Sequence, residues 1–537
     1  MKMNTFNPFV LLLIVLSTSC KEKSPEQKRP NIFFAISDDQ SFAHTSFNGC
    51  KFVATPAFDK VAREGIYFAN CYAGSPGCAP SRSSLVTGRY HWQNEQSGQH
   101  ASSWLKKHVP FIDLLENNGY STGRTGKGVD PFQYARNEED SLWRKTNAGG
   151  ITHSNIKYEN DDDVRFGNGI STVNYFENFK YFMENIKGEK PFFFWYGGNE
   201  PHRVYEKNSW KRMGKKLEDV EVPGFFPDND VIRGDMLDYS VEIEWFDLHL
   251  QQILEYLEEN GELENTIVIV TSDNGMPFPR AKANCFEYGV HVPMAIRFPK
   301  NFPGGRIVDD PISFIDLAPT ILELTNTSPE GMLPISGRSI LNILGSKKQG
   351  VVDRTKKYVF AGRERHSSSR YLNRGYPQRV IRENDFIYIW NIKPVRWPAG
   401  APQKYSPIDS TTLLPMYGLD ENGKYILDAA FMDIDDCPTK TYLIENHNIE
   451  STRPYFDLAH GIRPEFELYN VIEDPFCLNN LSGKPEFKGI ENELNEALMN
   501  ELKNSADPRV VGSDKEIFES YERYSPIRKF PQPDWIN

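Results

Sequence analysis

Cysteine is scarce in this sequence, and its copies are too widely spaced for two common roles. Seven cysteines occur in 537 residues, far below the density of a small disulfide-bonded scaffold. No two of them form a C-x-x-C pair, and no group of cysteines and histidines has the spacing of a structural zinc site. The sequence therefore argues against both classes, and it leaves the pairing of the cysteines open.

Positive charge is also in deficit. Lysine and arginine number 61 against 73 aspartates and glutamates, which gives a formal net charge of −12. Non-specific attraction to nucleic acid or to an anionic membrane surface is therefore not expected, and we predict no nucleic-acid partner. A local basic pocket for an anionic substrate is compatible with this charge. No internal repeat is present at the usual lengths, which disfavours a solenoid or a propeller.

The apolar run near the N-terminus, residues 9–16, is too short to span a bilayer and is typical of an export signal. Small residues and Cys20 follow it, as in a bacterial lipoprotein cleavage site, after which Cys20 carries the lipid. Leu16 lies one place further from Cys20 than in the usual pattern, and a plain secretory signal is the alternative. We predict a signal peptide of the lipoprotein type over 1–20, a tether over 21–29, and a location in the periplasm or at the cell surface.

Three continuous apolar runs predict strands that are buried on both faces, as in a parallel or mixed sheet covered by helices. They lie at residues 31–36, 191–196 and 266–270. A helical stripe lies between the last two runs and consists of Phe246, Leu250, Ile253, Leu254 and Leu257. This alternation of strands and helices predicts a doubly wound α/β core.

The pattern of predicted elements changes after Leu344. Short strand candidates at 358–361 and 386–390 are separated by loops rich in proline and glycine. We interpret this part as a smaller C-terminal α+β subdomain. The predicted catalytic domain covers residues 30–375, and the predicted subdomain covers 376–537.

Acidic and amide side chains directly follow two of the predicted strands. Asp38 and Asp39 come after the first run, and Asp273 and Asn274 come after the third. In sheets of this kind functional groups gather beyond the carboxyl ends of the strands. These four side chains offer hard oxygen ligands, which suit Ca²⁺ better than zinc. An ordinary turn after a strand is the simpler alternative for Asp38 and Asp39.

The segment Cys78-Ala79-Pro80-Ser81-Arg82 is the most informative stretch of the chain. Pro80 fits the first turn of a helix, where its missing N–H is harmless. The start of that helix directs free N–H groups and a positive dipole end towards the surroundings of Cys78, which favours an anion there. Arg82 adds a planar cation suited to sulfate or phosphate. Taken alone, the segment is also compatible with a buried cysteine before a structural helix.

This segment, with Thr87-Gly88 further on, resembles the signature of the type I sulfatases in the alkaline phosphatase superfamily. Residues 272–279 are particularly similar to the sulfamidase (N-sulfoglucosamine sulfohydrolase) branch, and residues 467–481 follow the family's late pattern. The resemblance covers roughly residues 30 to 480. It implies an alkaline phosphatase-like, doubly wound mixed sheet with a smaller C-terminal α+β subdomain.

The resemblance also implies the chemistry of the site. A maturation enzyme oxidises the cysteine, here Cys78, to formylglycine (3-oxoalanine), whose hydrated aldehyde supplies the nucleophilic oxygen. One Ca²⁺ touches residue 78 and the sulfate, with ligands from Asp38, Asp39, Asp273 and Asn274. Arg82, Lys127 and Lys282 match cations that stabilise the sulfuryl oxygens, and His202 matches a residue that protonates the leaving atom.

Two positions depart from the family pattern. Val129 stands two residues after Lys127, where family members commonly carry a histidine that is a candidate base for regenerating the aldehyde. Gly77 replaces a residue that usually bears a side chain. Asp130 or a nearby histidine is the alternative base, and the second half-reaction stays open.

The predicted function is a sulfatase that removes sulfate esters, or N-sulfate, from saccharides of sulfated polysaccharides. Algal polysaccharides such as ulvan or carrageenan and glycosaminoglycans both fit. His100, Arg365 and His366 are the predicted substrate-binding residues. Two other functions stay open: a phosphate or phosphonate hydrolase of the same superfamily, and a non-catalytic protein that binds sulfated glycans.

Overall fold

The structure is a computed structural model. It describes Met1 and residues 28–525, apart from positions 136, 138, 160–164, 187–189, 403–418, 421 and 427–429. Cys20 and the predicted signal after Met1 lie outside these residues. Among the residues described, no helix is both long enough and apolar enough to cross a membrane.

The described residues form a mixed set of strands and helices. The strands are β1 Asn31–Ser37, β2 Ile66–Phe68, β3 Cys71–Tyr72, β4 Ser121–Gly126, β5 Phe192–Gly197, β6 Thr266–Ser272, β7 Met294–Arg297, β8 Arg306–Val308, β9 Ile312–Ser313, β10 Val359–Arg363, β11 Gln378–Arg382, β12 Phe386–Asn391 and β13 Phe466–Asn470. The helices are α1 Pro56–Glu64, α2 Cys78–Thr87, α3 Phe111–Asn117, α4 Tyr175–Asn185, α5 Ser209–Arg212, α6 Asp230–Glu259, α7 Glu287–Val290, α8 Leu317–Leu324, α9 Leu341–Leu344, α10 Pro438–Glu445, α11 Arg453–His460, α12 Lys488–Asn504 and α13 Pro508–Val511.

A seven-stranded sheet forms the centre of the fold, in the order β4-β5-β1-β6-β7-β2-β8. The four strands β4, β5, β1 and β6 run parallel to one another. Strand β7 is antiparallel to β6 and to β2, and β2 and β8 are parallel. The predicted doubly wound, mixed α/β sheet is therefore confirmed.

Strand β1 is covered by a hydrophobic core on each face of the sheet, which explains its continuous apolar sequence. Ile32, Phe34 and Ile36 pack into the hydrophobic core on one face of the sheet. Phe33 and Ala35 pack into the core on the other face. Successive side chains of a strand point to opposite faces, so a central strand covered on both sides requires apolar residues at every position.

Helix α6 covers the second of these faces. All five residues of the predicted helical stripe belong to the core on that face. The helix ends at Glu259, and Gly261 follows with a left-handed backbone, φ 69°. A glycine takes up this conformation without steric cost, so the Asn260-Gly261 stop signal works as expected.

A second, antiparallel sheet follows in the order β10-β11-β12-β13. Leu494, Leu498 and Leu502 form a buried stripe of α12 and pack into a core shared with this sheet. The smaller α+β unit is thus present, and its first strand starts at Val359. The boundary at residues 375 and 376 stays a prediction.

Candidate active site

Four neighbouring parallel strands bring the predicted site residues to one edge of the central sheet. In the pairing of β1 with β6, Ser37 lies opposite Ser272. The two acidic pairs that follow these strands therefore start side by side. Lys127 directly follows β4, and His202 lies in the loop after β5. Parallel alignment places all these carboxyl ends on the same edge, which explains the convergence.

The four predicted metal ligands form one buried cluster. The backbone N–H of Asp39 donates to Asp273 Oδ1 over 3.0 Å, and Asn274 Nδ2 donates to Asp39 Oδ1 over 2.7 Å. Two further oxygens, Asp38 Oδ1 and Asn274 Oδ1, are buried without a hydrogen-bond partner among the described residues. Buried acceptors without partners are costly, so these two oxygens are suited to a bound cation or a hydrogen-bond donor.

The donor set fits a calcium ion. The Cys78 Sγ and one carboxylate oxygen each of Asp38 and Asp273 lie within 4.8 Å of one another. Carboxylate and amide oxygens are the ligands that Ca²⁺ prefers, and the four predicted ligands, Asp38, Asp39, Asp273 and Asn274, offer only such oxygens.

Cys78 is the first residue of α2, a helix whose ten residues are all buried. Its N-terminal position exposes it to the free N–H groups and the positive end of the helix dipole. Burial raises the pKa of the Cys78 thiol to about 11, although Lys127 and Lys282 act in the opposite direction. The unmodified side chain is therefore a neutral thiol at neutral pH.

Arg82 lies one turn along α2 and is fully buried. Its Nε donates to Asp273 Oδ2 over 2.7 Å, and its Nη1 donates to the carbonyl oxygen of Gly128 over 2.8 Å. Its Nη2 has no hydrogen-bond partner among the described residues and lies 3.8 Å from Asp38 Oδ1. A fixed guanidinium with one unused nitrogen is suited to an oxygen of a bound anion.

Lys127 and Lys282 approach the acidic cluster from two sides. Lys127 Nζ lies 2.5 Å from Asp38 Oδ2, and Lys282 Nζ lies 2.6 Å from Asp39 Oδ2. Burial alone would lower the pKa of both ammonium groups, but these carboxylates hold each pKa above its ordinary value. Both lysines are therefore charged at neutral pH.

His202 presents one ring nitrogen to the same cluster. Its Nδ1 lies 2.6 Å from the backbone carbonyl oxygen of Arg203, which can only accept, so we assign the proton to Nδ1. Its Nε2 lies 3.8 Å from Asp39 Oδ2. The structure thus brings Arg82, Lys127, Lys282 and His202 together around the acids and Cys78.

The predicted sugar-binding residues fall into two groups. The rings of His100 and His366 lie 4.8 Å apart between centroids. A Cβ atom at Gly77 would lie only 3.1 Å from His366 Nδ1, so the missing side chain leaves room for this ring beside residue 78. The guanidinium of Arg365 instead donates to the carbonyl oxygens of Tyr521 and Glu522. The substrate roles of the three residues stay predictions.

The loop after Lys127 has a buried valine at the position where family members commonly carry a histidine. Val129 is fully buried and belongs to the hydrophobic core. Asp130 accepts hydrogen bonds from the backbone N–H of Gly128 over 3.1 Å and from Asn147 Nδ2 over 2.9 Å. These contacts hold Asp130 to its own loop.

Asp435 is a site residue that the sequence did not reveal. It is buried, its Oδ2 lies 3.2 Å from Lys282 Nζ, and it clusters with Asp39 and His202. It belongs to an acidic run, 433–436, that follows no predicted strand, and such a run is usually typical of a solvent-exposed loop. Its neighbour Asp433 is bound by Arg363 and Arg370, which fixes this segment against the site.

A cavity of about 450 Å³ opens beside Lys127 and His202. Its wall also includes Glu200 and Glu242, both buried. Burial raises the pKa of the Glu200 carboxyl, and burial together with the charge of Glu200 raises that of Glu242 further. The wall of the cavity therefore carries both basic and acidic side chains.

Comparison with known proteins agrees with the geometry of the site. The Sulfatase family profile matches residues 30–327, more than half of the chain. The chain belongs to the sulfatase family. An ulvan-active sulfatase of Formosa agariphila is 25% identical over 541 residues, covering 91% of this chain and 79% of the relative. Human N-sulphoglucosamine sulphohydrolase is 25% identical over 521 residues, covering 90% and 92%.

Solved structures show the same fold for this sulfatase. One, in complex with its substrate D-glucosamine-2-N,6-O-disulfate, has a TM-score of 0.61 at 19% identity and covers 91% of this chain and 100% of its own. The phosphonate monoester hydrolase of Agrobacterium radiobacter has a TM-score of 0.60 at 16% identity and covers 89% and 97%. The predicted sulfatase family, sulfamidase-like branch, fold and enzyme class, a sulfuric ester hydrolase, are confirmed.

We predict that Asp435→Asn lowers kcat/KM for an aryl sulfate by roughly tenfold or more. Lys282 would lose one of its two carboxylate partners, and a buried charge left partly unpaired is strongly unfavourable, about 3–5 kcal/mol in typical cases. The adjacent Asp436→Asn is the matched control, because Asp436 is exposed and pairs with Lys440 instead. Equal kcat/KM values for the two variants would show that Asp435 does not position Lys282.

Proposed function

We propose that this protein is a formylglycine-dependent, calcium-binding sulfatase that removes sulfate groups from saccharides of sulfated polysaccharides. The observation that supports it best is that the site contains both a buried hydrogen-bond donor and buried acceptors that lack partners. Within the part of the chain that the structure describes, Arg82 Nη2 is a buried donor without an acceptor, and Asp38 Oδ1 and Asn274 Oδ1 are buried acceptors without a donor. A sulfate and a cation placed together would satisfy both sets.

The cations of the site bind the anion and stabilise its transition state. Arg82 and Lys127 face residue 78 from α2 and from the loop after β4, and Lys282 lies on the side of Asp39. Charge that develops on the sulfuryl oxygens is stabilised by donors that are already fixed in place. Because these side chains are buried and paired, little reorganisation is needed during the reaction.

His202 is the group placed to protonate the leaving atom. With a proton on Nδ1 held by the Arg203 carbonyl, its Nε2 faces the site. This nitrogen first takes a proton from solvent and, as imidazolium, then donates that proton to the leaving atom and returns to the neutral ring. Its side chain is 34% exposed, so it lies at the mouth of the site, where the saccharide would leave.

Two groups complete this proposal. Formylglycine at position 78, made by a maturation enzyme acting on Cys78, would supply the nucleophilic oxygen in its hydrated form. Calcium, held by Asp38, Asp39, Asp273 and Asn274, would supply a positive charge that acidifies this oxygen and screens the anion. Return to the aldehyde releases the sulfate from residue 78 and requires loss of the other hydroxyl proton. We assign this proton to His366, whose ring lies beside Gly77, because Asp130 is already engaged by Gly128 and Asn147.

The substrate class follows from the relatives. One is named for activity on ulvan and another for N-sulfated glucosamine. We therefore propose saccharides of an algal polysaccharide or of a glycosaminoglycan, as sulfate ester or N-sulfate. Phosphonate ester hydrolysis is the second candidate, favoured by the similar fold of the phosphonate monoester hydrolase.

The first prediction concerns residue 78. In protein from a host that matures sulfatases, mass spectrometry of the peptide containing position 78 should show an aldehyde in place of the thiol. Such protein should hydrolyse 4-methylumbelliferyl sulfate faster than the matching phosphonate ester. Cys78→Ser, made in a host that cannot convert serine, should abolish the activity, whereas Cys50→Ser should retain it.

An unmodified thiol at residue 78 in fully active protein would contradict the formylglycine proposal. A phosphonate ester turned over faster than the sulfate would replace the sulfatase proposal with the second candidate. Binding of sulfated saccharides without any turnover would support the non-catalytic alternative.

The second prediction concerns the metal. Removal of divalent ions with a chelator should abolish aryl sulfate hydrolysis and lower the thermal unfolding midpoint, because the buried acids then repel one another. Calcium should restore both quantities, and zinc should not. Asp273→Asn should remove most of the calcium-dependent rise in the midpoint. A midpoint that does not respond to calcium in the wild type would disprove the predicted site.

The third prediction concerns export. We propose that the protein is exported and anchored by a lipid on Cys20. Wild-type protein should then fractionate with membranes and label with a radioactive fatty acid, while Cys20→Ala should not label and should fractionate with soluble proteins. Cys50→Ser should behave like the wild type. Identical fractionation of the wild type and Cys20→Ala would leave only a plain secretory signal.

A further inference from the structure

A segment close to the C-terminus, residues 518–524, lies against the loop that carries His100. We refer to it as the C-terminal segment. Gln99 Nε2 donates to a carbonyl oxygen at the start of this segment over 2.9 Å. The backbone N–H of Tyr524 donates to the carbonyl oxygen of Ala101 over 2.8 Å. The two hydrogen bonds lie directly before and after His100 in the sequence, so the C-terminal segment holds the loop on both sides of this histidine.

One atom of the C-terminal segment joins this loop to a second predicted substrate-binding region. The carbonyl oxygen of Glu522 accepts a hydrogen bond from Ser102 Oγ and another, over 3.3 Å, from Arg365 Nη2. The other terminal nitrogen of Arg365, Nη1, donates to the carbonyl oxygen of the preceding residue in the segment. Ser102 lies two residues after His100, and Arg365 directly precedes His366. The C-terminal segment therefore connects the parts of the chain that carry the two histidines.

The two histidines lie together beside the predicted nucleophile. Their ring centroids are 4.8 Å apart. A Cβ atom at Gly77, the residue before position 78, would lie 3.1 Å from His366 Nδ1. The contacts of the C-terminal segment are thus made next to side chains that border the reacting centre.

The backbone beside His100 needs such support. Ala101 has a left-handed backbone, φ 54°, which is unfavourable for a residue with a Cβ atom. Its N–H donates to the carbonyl oxygen of Pro131 over 3.0 Å, and its own carbonyl oxygen accepts from Tyr524. An unfavourable conformation persists when the surrounding contacts hold it. The C-terminal segment supplies one of the two contacts.

Arg365 is used by the C-terminal segment and is not presented to a ligand. Its side chain is buried, 2% exposed, and both of its terminal nitrogens donate to carbonyl oxygens of the segment. Hydrogen bonds from an ionised donor are stronger than those between neutral groups. The geometry of Arg365 therefore suits a residue that acts through the segment, in contrast to the direct sugar contact that the sequence predicted.

We propose that Ser102 and Arg365 are positioning residues for saccharide binding, which act by holding the C-terminal segment in place. The segment in turn fixes His100 and His366 in the arrangement that receives the sulfated sugar. This inference rests on the proposed sulfatase function. The cations of the reacting centre are held by the acidic cluster through their own contacts, so hydrolysis of a small aryl sulfate should not depend on this segment.

The test uses matured, full-length protein with 4-methylumbelliferyl sulfate as the reporter substrate. Three sugars compete with it: glucosamine 2-N,6-O-disulfate, a sulfated ulvan disaccharide and a sulfated carrageenan tetrasaccharide. Ser102→Ala and Arg365→Lys should each raise the inhibition constant of the tightest competitor about fivefold, because each removes a hydrogen bond that holds the segment. The kcat/KM of the reporter should stay within about twofold of the wild type, because the reporter has no sugar.

The double variant separates positioning from direct contact. If Ser102 and Arg365 act through one segment, its loss of sugar affinity should be clearly smaller than the product of the two single losses. A direct contact between Arg365 and the sugar predicts that the two losses multiply. Hydrogen exchange of the backbone amides in residues 97–104 should be faster than in the wild type for both single variants, since the loop then opens more easily.

Arg306→Lys is the matched control. Arg306 is also a buried arginine, 3% exposed, and its terminal nitrogens donate to the carbonyl oxygens of Lys348 and Leu344 over 2.8 and 2.9 Å. It lies on β8, the edge strand at the opposite end of the central sheet from β4. This variant loses the same kind of contact elsewhere, so it should retain the wild-type inhibition constants and the wild-type exchange in residues 97–104.

The outcomes separate this proposal from the proposed function. If matured wild-type protein does not hydrolyse the reporter, the sulfatase proposal fails. If it does, competition by none of the three sugars overturns the saccharide role. Unchanged inhibition constants in both single variants, equal losses for sugar and reporter, or losses that multiply in the double variant overturn the positioning role. If Arg365→Lys does not fold, the constants and the hydrogen exchange of Ser102→Ala decide alone.

Discussion

The parallel pairing of β1 with β6 is the constraint on which the site depends. It places Asp38 and Asp39 beside Asp273 and Asn274, and four oxygen-bearing side chains in a buried space cannot persist without compensation. Arg82, Lys127 and Lys282 supply that compensation, each through a contact of 2.7 Å or less with an acid of the cluster. The same cations form the proposed anion site, so the side chains that stabilise the cluster are also those proposed to bind sulfate.

Much of the fold and the grouping of acidic side chains at one edge of the sheet could be predicted from the sequence, because both depend on local patterns. The apolar runs of β1, β5 and β6 indicate burial on both faces of the sheet. The polar residues that follow them indicate where the edge of the sheet lies. The helix start at Cys78 is equally local. These signals need no knowledge of distant contacts.

Asp435 and Glu242 could not be predicted, because nothing in their local sequence marks them. Asp435 reaches Lys282 only through the path of the C-terminal segment. Glu242 lies on α6 among other acids, and its burial depends on which side of the helix faces the cavity. Asp273 could be predicted because it directly follows a buried strand. The positions of Asp435 and Glu242 depend instead on packing between segments that are far apart in the sequence.

The family profile ends at residue 327, whereas the wall of the site continues beyond it through His366 and Asp435. The reacting centre is therefore assembled from two distant stretches of the chain. Because Asp435 pairs with Lys282 from the later stretch, a change far outside the family profile can disturb the charge balance of the centre.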